Sequence, residues 1–578
     1  MYRPYLLLIL ILFATCSPDS REDIVFFNGT ILTMSVEEGQ PQPEAVLVRN
    51  GIIESLGTRD EVLALAGEET RRIDLHGATM MPGFVAAHTH PDLSAYLHSF
   101  VDLSGFTHSS PEGVRNALKQ AISRAEPGEW IYCKGFDPIL VPGLQKPTLA
   151  DLDALAPKNP VVILAQSMHS AWANSLAFEA LEITAETPPP EPGSYYEVKD
   201  GKLTGFIAEV AAMRPFMKAA LPTFDIKENF QRVLDDYAKS GISSIGTAGL
   251  FGEDEKPLML MRWLSATDPG VFLRFLGAIA VLPERKPSVR NFVYLKADSP
   301  FDLPSSPDRD DPSFQIVGIK LWYDGSPYTG SMYLSQPYEK SELMQQSLGL
   351  PAENRGSPVL EREAFRQQVE RFHRQGWQLA IHSQGDQANL EVAQVLSEVL
   401  SSFPRNDHRH RLEHALLLPQ SLIPSLADQG ITVSFHINHL YYYGEALRND
   451  IIGERAEEML PLRSALEGGL RISLHADQPM YPEEPLSLVQ TAVERKSRQG
   501  SNLAEEEAIS VQQALRAVTI DAAWQMGLED RLGSIEVGKE ADFVILGADP
   551  TAVPASSIRS IPVLATFVSG RQIAGKPL

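Results

Sequence analysis

Cysteine is almost absent from this chain: only Cys16 and Cys133 occur among its 578 residues. Two cysteines cannot build a disulfide framework, so a packed core has to hold the fold together. Apolar residues make up 43% of the sequence and charged residues 21%, which is the composition of a globular protein. We expect Cys133, at the end of the run Trp130–Cys133, to be a small buried side chain.

Basic residues are also under-represented, with 50 Lys and Arg against 74 Asp and Glu. The resulting formal charge of −24 repels a phosphate backbone, which excludes nucleic-acid binding as the main role. We expect a small-molecule substrate instead. The sequence makes no prediction of the oligomeric state.

Apolar runs long enough to span a bilayer are missing, because a span requires roughly 20 residues. The run near the N-terminus, Leu6–Ala14, has nine residues and follows Arg3. This pattern is typical of a secretory signal. Leu12–Cys16 (LFATC) resembles a bacterial lipobox, although Phe13 and Thr15 depart from the usual pattern.

We therefore expect residues 1–16 to contain a signal peptide and Cys16 to be the lipidated first residue of an exported protein. Ser17 lacks the negative charge that retains bacterial lipoproteins in the inner membrane. The predicted location is the periplasmic side, with a lipid anchor in the outer membrane as the membrane contact. A soluble exported protein and an uncleaved anchor are the alternatives.

Short β segments occur at both ends of the chain. Two strong hairpin-turn signals follow apolar segments near the N-terminus, Asn28-Gly29 and Asn50-Gly51. Neither end contains enough apolar residues for a core of its own. We therefore expect residues 23–82 and 530–578 to form one small β domain.

Between these ends, strand-like apolar runs alternate with helix-length segments, which is the pattern of an α/β unit. Helices are predicted over 361–375 and 387–400, and strands over 314–320, 377–382, 411–414, 431–435 and 470–474. This many repeats predicts a (β/α)8 barrel over residues 83–529. In that fold, functional side chains project from the carboxyl ends of the strands.

Ionisable residues fall at several of these strand ends. His88 and His90 are two residues apart at the end of an apolar run, so they face the same side of an extended strand and can grip one cation. The other strand ends supply Lys320, His382, His414 and Asp477. Neutral imidazoles and a carboxylate suit a divalent metal, with zinc first and manganese or iron(II) as alternatives.

Several of these segments resemble the amidohydrolase superfamily, in particular its amidohydrolase 3 branch. Residues 81–90 (MPGFVAAHTH) are similar to the PGFVDAHTH opening of that family, and residues 411–415 (RLEHA) match RIEHA at all but one position. Further similar segments are 318–326 (GIKLWYDGS), 379–386 (LAIHSQGD), 474–479 (LHADQP) and 533–542 (GSIEVGKEAD). The resemblance covers nearly the whole chain after the signal segment.

The resemblance implies a distorted TIM barrel, a β-sandwich made from both termini and an insertion at about residues 95–210. It also implies two divalent metal ions bridged by a carbamylated Lys320. The implied ligands are His88, His90 and Asp477 for one ion, and His382 and His414 for the other. The alternative for Lys320 is an ordinary ion pair with Asp324.

Asp477 would be the catalytic base that accepts a proton from a metal-activated hydroxide and passes it to the leaving nitrogen. Four residues are predicted to contact substrate: His169, His475, His439 and Tyr441. His169 lies in a stretch similar to DxHxxxxNS of the branch, although Ser167 replaces the acidic residue. His439 and Tyr441 lie in an aromatic stretch at 435–444.

These features predict an exported metal-dependent hydrolase of a non-peptide C–N bond, such as an amide or N-formyl group. A lactonase or esterase would use the same metal site on a C–O bond. A non-catalytic solute-binding lipoprotein on the same scaffold is the alternative from another class, although a binder would be free to lose some of the ligands.

Overall fold

The described residues of this computed structural model are 22–35, 42–191, 194–252 and 254–578. The predicted signal segment 1–16, with Cys16, lies outside them, so its interpretation stays a prediction. Within the described ranges, no helix is both long enough and apolar enough to cross a membrane.

Eight parallel strands form the central sheet, and their order in the sheet is their order along the chain. The sheet closes almost completely: just past its first and eighth strands, the His90 N–H donates to the Gln478 carbonyl at 2.8 Å. The predicted distorted TIM barrel is therefore confirmed. Its strands are Phe84–Thr89, Ile242–Ala248, Arg290–Lys296, Phe314–Trp322, Gln378–Ser383, Arg411–His414, Thr432–Phe435 and Ile472–Leu474.

Helices cover the outside of the barrel, which explains why its strands are near-continuous apolar runs rather than alternating ones. The two helices predicted from the sequence are present as Arg362–Arg374 and Asp386–Ser402. The other helices between barrel strands are Pro91–Leu97, Pro111–Arg124, Leu149–Leu155, Ser175–Ala180, Glu209–Ala220, Ile226–Lys239, Lys256–Ser265, Val271–Ala278, Ile423–Asp428, Asn438–Ala446 and Leu462–Glu467. Pro485–Glu494, Val511–Ala517 and Ile520–Gln525 follow the last barrel strand.

Both ends of the chain contribute to one β domain. Its first sheet has the strand order Ile52–Gly57, Ala45–Arg49, Ile24–Phe27 and Arg71–Asp74. Helix Arg59–Leu65 connects strand Ile52–Gly57 to strand Arg71–Asp74. Its second sheet has the order Thr30–Ile31, Thr79–Pro82, Phe543–Leu546, Val563–Val568 and Arg571–Gly575. Phe26 packs edge-on against Phe543 and Phe567, with ring centroids 5.5 and 5.3 Å apart, so neither end has a core without the other.

The two predicted hairpin turns have different outcomes. Asn50 and Gly51 join antiparallel strands with φ angles of 52° and 80°, which confirms that hairpin. The hairpin predicted at Asn28-Gly29 is wrong, because the strand before it and Thr30–Ile31 belong to different sheets. A Cβ at Gly29 would lie 2.4 Å from the Ala78 carbonyl oxygen, so glycine here permits a close crossing between sheets.

A third sheet lies in the chain between the first and second barrel strands, where the insertion is predicted. Its strand order is Tyr195–Lys199, Lys202–Ala208, Ser170–Ala173, Val161–Ala165, Ile131–Phe136 and Val101–Asp102. Cys133 in this sheet is fully buried and free, as expected. Tyr443 donates to Asp137 at 2.5 Å, and Gln166 donates to the Met480 carbonyl at 2.6 Å. These bonds attach the insertion to helix Asn438–Ala446, after the seventh barrel strand, and to the loop after the eighth.

Candidate active site

The barrel brings the six predicted metal ligands to its carboxyl end. Three of them lie among the last three residues of their strands: His88, Lys320 and His382. The sixth strand ends at His414, His90 directly follows the first strand, and Asp477 lies three residues past the eighth. The Asp477 carboxylate is at the centre of the group. Its Oδ1 lies 2.9 Å from His90 Nε2 and 3.3 Å from His88 Nε2, and its Oδ2 lies 4.0 Å from His414 Nδ1.

Lys320 and His382 complete the cluster from the other side. Lys320 Nζ lies 3.4 Å from His88 Nε2, and the rings of His382 and His414 are 4.3 Å apart between centroids. The barrel therefore gathers all six residues, although up to 389 positions separate them in sequence (477 − 88).

Side-chain charge states in the cluster suit metal binding. Burial lowers the pKa of His382 to about 3 and holds the pKa of His414 well below its usual value, so both imidazoles are neutral. Burial alone would raise the pKa of Asp477, but the adjacent His88 and His90 hold it well below its usual value. Neutral imidazole nitrogens and an ionised carboxylate are the donor forms that divalent metals require.

Three groups of ligand atoms are compact enough for one ion each, with all atoms within 4.8 Å of one another. They are His88–His90–Asp477, His88–His414–His475 and His414–His436–Asp477. The first is the predicted set. In the described part of the chain no such group includes His382, whose Nε2 lies 3.3 Å from the Gly325 carbonyl. The residues present fit a divalent metal at the first group.

A buried acidic residue supports His88 from behind. Glu413 Oε2 lies 2.5 Å from His88 Nδ1, and its other oxygen pairs with Arg411, which also donates to the Ala87 carbonyl at 3.1 Å. Burial would raise the pKa of Glu413, but Arg411 and His88 bring it far below its usual value. The carboxylate therefore accepts the Nδ1–H of His88 and orients the ring so that Nε2 faces Asp477.

Sequence reasoning assigned no role to Glu413 or Arg411. The signal that could have found them is the two-residue period of a strand: residues 411 and 413 share one face, and here both contact the first barrel strand.

Lys320 is not paired with Asp324, so the alternative interpretation of this lysine is wrong. Asp324 instead accepts backbone N–H groups from Tyr333, Gln384 and Gly385 at 2.9–3.0 Å. Lys320 is buried, and burial lowers its pKa to about 8.

Aromatic side chains form a wall beside the cluster. The Tyr328 hydroxyl lies 2.6 Å from His439 Nδ1 and 3.2 Å from the Tyr481 hydroxyl, which is itself 3.1 Å from His439 Nδ1. His436 lies between this trio and the metal cluster, with its ring 4.1 Å from that of His439 and 5.5 Å from that of His414. Tyr328 and Tyr481 come from distant loops, and no pattern in the sequence marked them.

The other three substrate-contact predictions have different surroundings. Tyr441 is directed elsewhere, because its ring lies 4.0 Å from the Arg559 guanidinium, and no contact in the described residues joins it to the histidine cluster. His169 is half-exposed on the insertion and lies 2.9 Å from Glu209. His475 is buried beside the cluster, and both its ring nitrogens bond to protein atoms.

Known proteins resemble the chain over nearly its full length. A family model described as the amidohydrolase family matches residues 71–574. The chain is 27% identical to an N-substituted formamide deformylase of Arthrobacter pascens, across 95% of this chain and 97% of that protein. It is 26% identical to the protein LONG AFTER FAR-RED 3 of Arabidopsis thaliana, across 95% of this chain and 91% of that protein.

Among solved structures, an uncharacterized metal-dependent hydrolase from Pyrococcus horikoshii has the same fold. Its TM-score is 0.70 at 21% identity, and the comparison covers 93% of this chain and 99% of that one. The family match includes every barrel strand and all six clustered residues. The chain therefore belongs to the amidohydrolase family and is a hydrolase that acts on carbon–nitrogen bonds other than peptide bonds.

Proposed function

We propose that this enzyme hydrolyses the amide bond of an N-formyl or other N-acyl small molecule, with divalent metal held by the cluster around Asp477. The observation that carries the proposal is the position of Asp477, whose carboxylate touches both His88 and His90 while its side chain stays 13% exposed. One carboxylate can thus bind metal and exchange a proton with substrate. The relative named N-substituted formamide deformylase supports an acyl or formyl group.

Two divalent ions are proposed, with zinc first and manganese or iron(II) as alternatives. His88, His90 and Asp477 would hold one ion, and His382 and His414 would hold the other. A divalent ion bound there would polarise the scissile carbonyl and lower the pKa of a bound water.

Lys320 is proposed to carry a carbamate. Its neutral amine attacks CO2, a C–N bond forms and one proton is released, which leaves an anionic group with two oxygens. Burial favours this reaction because it lowers the pKa of Lys320 to about 8 and so enlarges the neutral fraction. Since Nζ lies 3.4 Å from His88 Nε2, the new oxygens would join the ligand cluster.

Proton transfer is assigned to Asp477. Its carboxylate accepts a proton from the attacking water and then donates it to the leaving nitrogen, which departs as a neutral amine. His88 and His90 keep Asp477 ionised, which is the state that a base requires. The wall of Tyr328, His439 and Tyr481 would contact the acyl or nitrogen substituent, and His169 on the insertion would contact a more distal part.

Elemental analysis and a substrate panel test this proposal together. We expect bound divalent metal, and turnover of N-formyl or N-acyl compounds that chelators abolish. His90→Ala should lower both, because it removes a ligand that contacts Asp477. His76→Ala is the control, since the His76 side chain is 84% exposed and distant in the β domain. Active protein without metal would overturn the mechanism. Turnover of esters or lactones alone would favour the C–O hydrolase. Ligand binding without turnover would favour the solute-binding protein.

We further propose that the enzyme is exported and attached to the outer membrane through a lipidated Cys16. A run of nine apolar residues is too short to span a bilayer, so stable attachment would come from acyl chains. Cys16→Ser should move the enzyme from the membrane fraction to the soluble fraction, or leave it unprocessed, with turnover unchanged. Soluble wild-type protein with a different mature N-terminus would replace lipidation by simple secretion.

A further inference from the structure

His436 directly follows the seventh barrel strand, at the carboxyl end where the metal cluster lies. Its N–H donates to the His414 carbonyl at 3.3 Å, so the backbone holds it beside the end of the sixth strand. Its ring lies 5.5 Å from that of His414 and 5.0 Å from that of His475. The ring therefore borders the metal cluster, and the proposed function leaves it without a role.

Neither ring nitrogen of His436 has a hydrogen-bond partner among the described residues, although the residue is only 1% exposed. Taking a polar group out of water without replacing its hydrogen bond costs about 1–3 kcal/mol. Buried polar groups without a protein partner are uncommon in native proteins and indicate a bound water, an ion or a functional role. We therefore expect a ligand that is not part of the chain at this ring.

Ligand atoms of the cluster lie close enough to His436 to share an ion with it. One nitrogen of His436, one nitrogen of His414 and one oxygen of Asp477 lie within 4.8 Å of one another. Atoms that share a tetrahedral zinc ion are about 3.4 Å apart, because zinc–nitrogen and zinc–oxygen bonds are about 2.0–2.2 Å long. Side-chain shifts on the order of 1 Å would thus bring these three atoms onto one ion.

The other partners available to His414 are less suitable. His414 also forms a compact group with His88 and His475, but both nitrogens of His475 already bond to protein atoms. His382, the partner predicted for His414, belongs to no such group in the described part of the chain. His436, with two unbonded nitrogens, is thus the histidine that can complete a site with His414.

Asp477 can serve this site and the first one together. Its Oδ1 lies 2.9 Å from His90 Nε2 and 3.3 Å from His88 Nε2, whereas its Oδ2 is the oxygen nearest to His414, at 4.0 Å from Nδ1. A carboxylate oxygen has two lone pairs, so Oδ2 can contact an ion with one and accept a proton with the other. The role of Asp477 in proton transfer is therefore compatible with a second ion at His414.

We propose that His436 is a metal ligand, and that it binds the ion at His414 together with Asp477. The assignment rests on the proposed function, which supplies the ion at His414. It adds a seventh residue to the predicted ligands and gives the unbonded ring of His436 a partner.

Anomalous diffraction at the zinc edge, from crystals of the full chain loaded with zinc, tests the assignment directly. We expect an ion bonded to a ring nitrogen of His436 at about 2.0–2.1 Å. Ions that bind at the cluster and leave both nitrogens of His436 unbonded would overturn the assignment but not the proposed function. Protein that binds no ion would overturn both.

Zinc affinity gives a second test. His436→Phe removes both nitrogens and keeps an aromatic ring against Tyr481, whose ring is 4.6 Å away. The dissociation constant of one bound zinc ion should rise more than about 100-fold, because the loss even of a residue behind a ligand costs about 10- to 100-fold. Competition with a chromophoric chelator measures the constant. His436→Leu also lacks a ligand atom and should show the same loss, so it replaces the phenylalanine variant if that one does not fold.

His439→Phe is the matched control. His439 is buried, its ring is 4.1 Å from that of His436, and it belongs to none of the three ligand groups. We expect this variant to keep the zinc affinity of the wild type. An equal loss in the two phenylalanine variants would show that packing rather than metal binding is responsible, and unchanged affinity in His436→Phe would show that the ring binds no ion. Either result would overturn the assignment.

Discussion

His414 and Asp477 have positive φ angles, 71° and 61°, in a region that residues other than glycine rarely adopt. Such a conformation costs on the order of 1–3 kcal/mol and persists where the surrounding structure enforces it. Here the sixth barrel strand ends at His414, and Asp477 lies just past the eighth. Two central members of the cluster thus share a backbone conformation that is more typical of functional sites than of packing.

At the same scale, Lys320→Ala should remove most of the activity and lower the metal content, because the proposed carbamate would supply oxygen ligands to the metal. A short carboxylic acid such as propionate, added in solution, should restore part of the activity by occupying the emptied space. Lys296→Ala is the control: Lys296 lies against the same Trp322 ring as Lys320, at 5.8 and 5.3 Å, but has no contact with the histidines among the described residues.

A carbon-13 carbamate signal from protein equilibrated with labelled bicarbonate checks the modification itself. An active, metal-loaded enzyme that gives no such signal would show that Lys320 acts as a free amine.

At the scale of elements, one buried arginine joins the barrel to the β domain. Arg290 begins the third barrel strand, and its guanidinium donates to Asp542 at 2.8 and 3.0 Å and to Glu540 at 2.9 Å. It also donates to Ser569 at 2.6 Å. Because Arg290 is 1% exposed, its charge is balanced almost entirely by these carboxylates.

Arg290→Met should therefore lower the free energy of unfolding by about 3–5 kcal/mol, since it leaves buried carboxylates without their cation. Urea titration measures the change. Arg531→Met is the matched control, because Arg531 pairs with the same Glu540 but is 33% exposed, so its loss should cost about 1 kcal/mol or less. Equal losses in the two variants would show that burial does not determine the strength of this junction.

At the scale of the whole molecule, three buried histidines outside the active site link stability to pH. His373 Nδ1 and His410 Nε2 are 2.8 Å apart, His410 Nδ1 accepts the Leu379 N–H at 3.1 Å, and His408 donates to the Gln429 carbonyl at 2.8 Å. Burial lowers the pKa of all three, that of His408 to about 4. A ring nitrogen that accepts a hydrogen bond, such as His410 Nδ1, would lose that bond if it were protonated.

The folded protein thus binds protons at these sites less readily than the unfolded chain does, whose histidines titrate near pH 6.5. The contribution of His408 to stability is complete above pH 6.5 and is lost as the pH falls towards 4, and the contributions of His373 and His410 change in the same direction. His408 should contribute up to about 1.4 kcal/mol per pH unit in that window. Urea midpoints measured between pH 7.5 and 5 should fall accordingly.

His408→Gln should flatten this pH dependence, because glutamine does not titrate and its amide can still donate towards Gln429. His76→Gln, at a side chain that is 84% exposed, is the control for the substitution of a histidine by glutamine. If the urea midpoint of His408→Gln falls with pH as steeply as that of the wild type, this histidine does not contribute to the acid sensitivity of the protein.

The sequence alone was sufficient to predict the barrel and the six-residue cluster. Alternating apolar runs and amphipathic segments have a local cause, which is the period of the strand and of the helix. The position of a clustered side chain at the end of its own strand is likewise a local property of the sequence. The i, i+2 spacing of His88 and His90 places them on one face of a strand whatever the rest of the chain does. Parallel strands then bring their carboxyl ends to one edge, so Lys320, His414 and Asp477 could be assigned to the same place.

Only the tertiary structure decided which side chains support that cluster. Glu413 reaches His88 across 325 positions, and hydrogen bonds connect Gln525 with His475 through two serines from different strands. Tyr441 points at Arg559 while Tyr328 and Tyr481 meet His439, because the direction of helix Asn438–Ala446 and the paths of the loops, rather than strand period, orient those rings. The period of a strand or helix determines on which face of that element a side chain lies. Its partner depends on the register and spacing of elements distant in sequence, which closure of the barrel and packing of its loops determine.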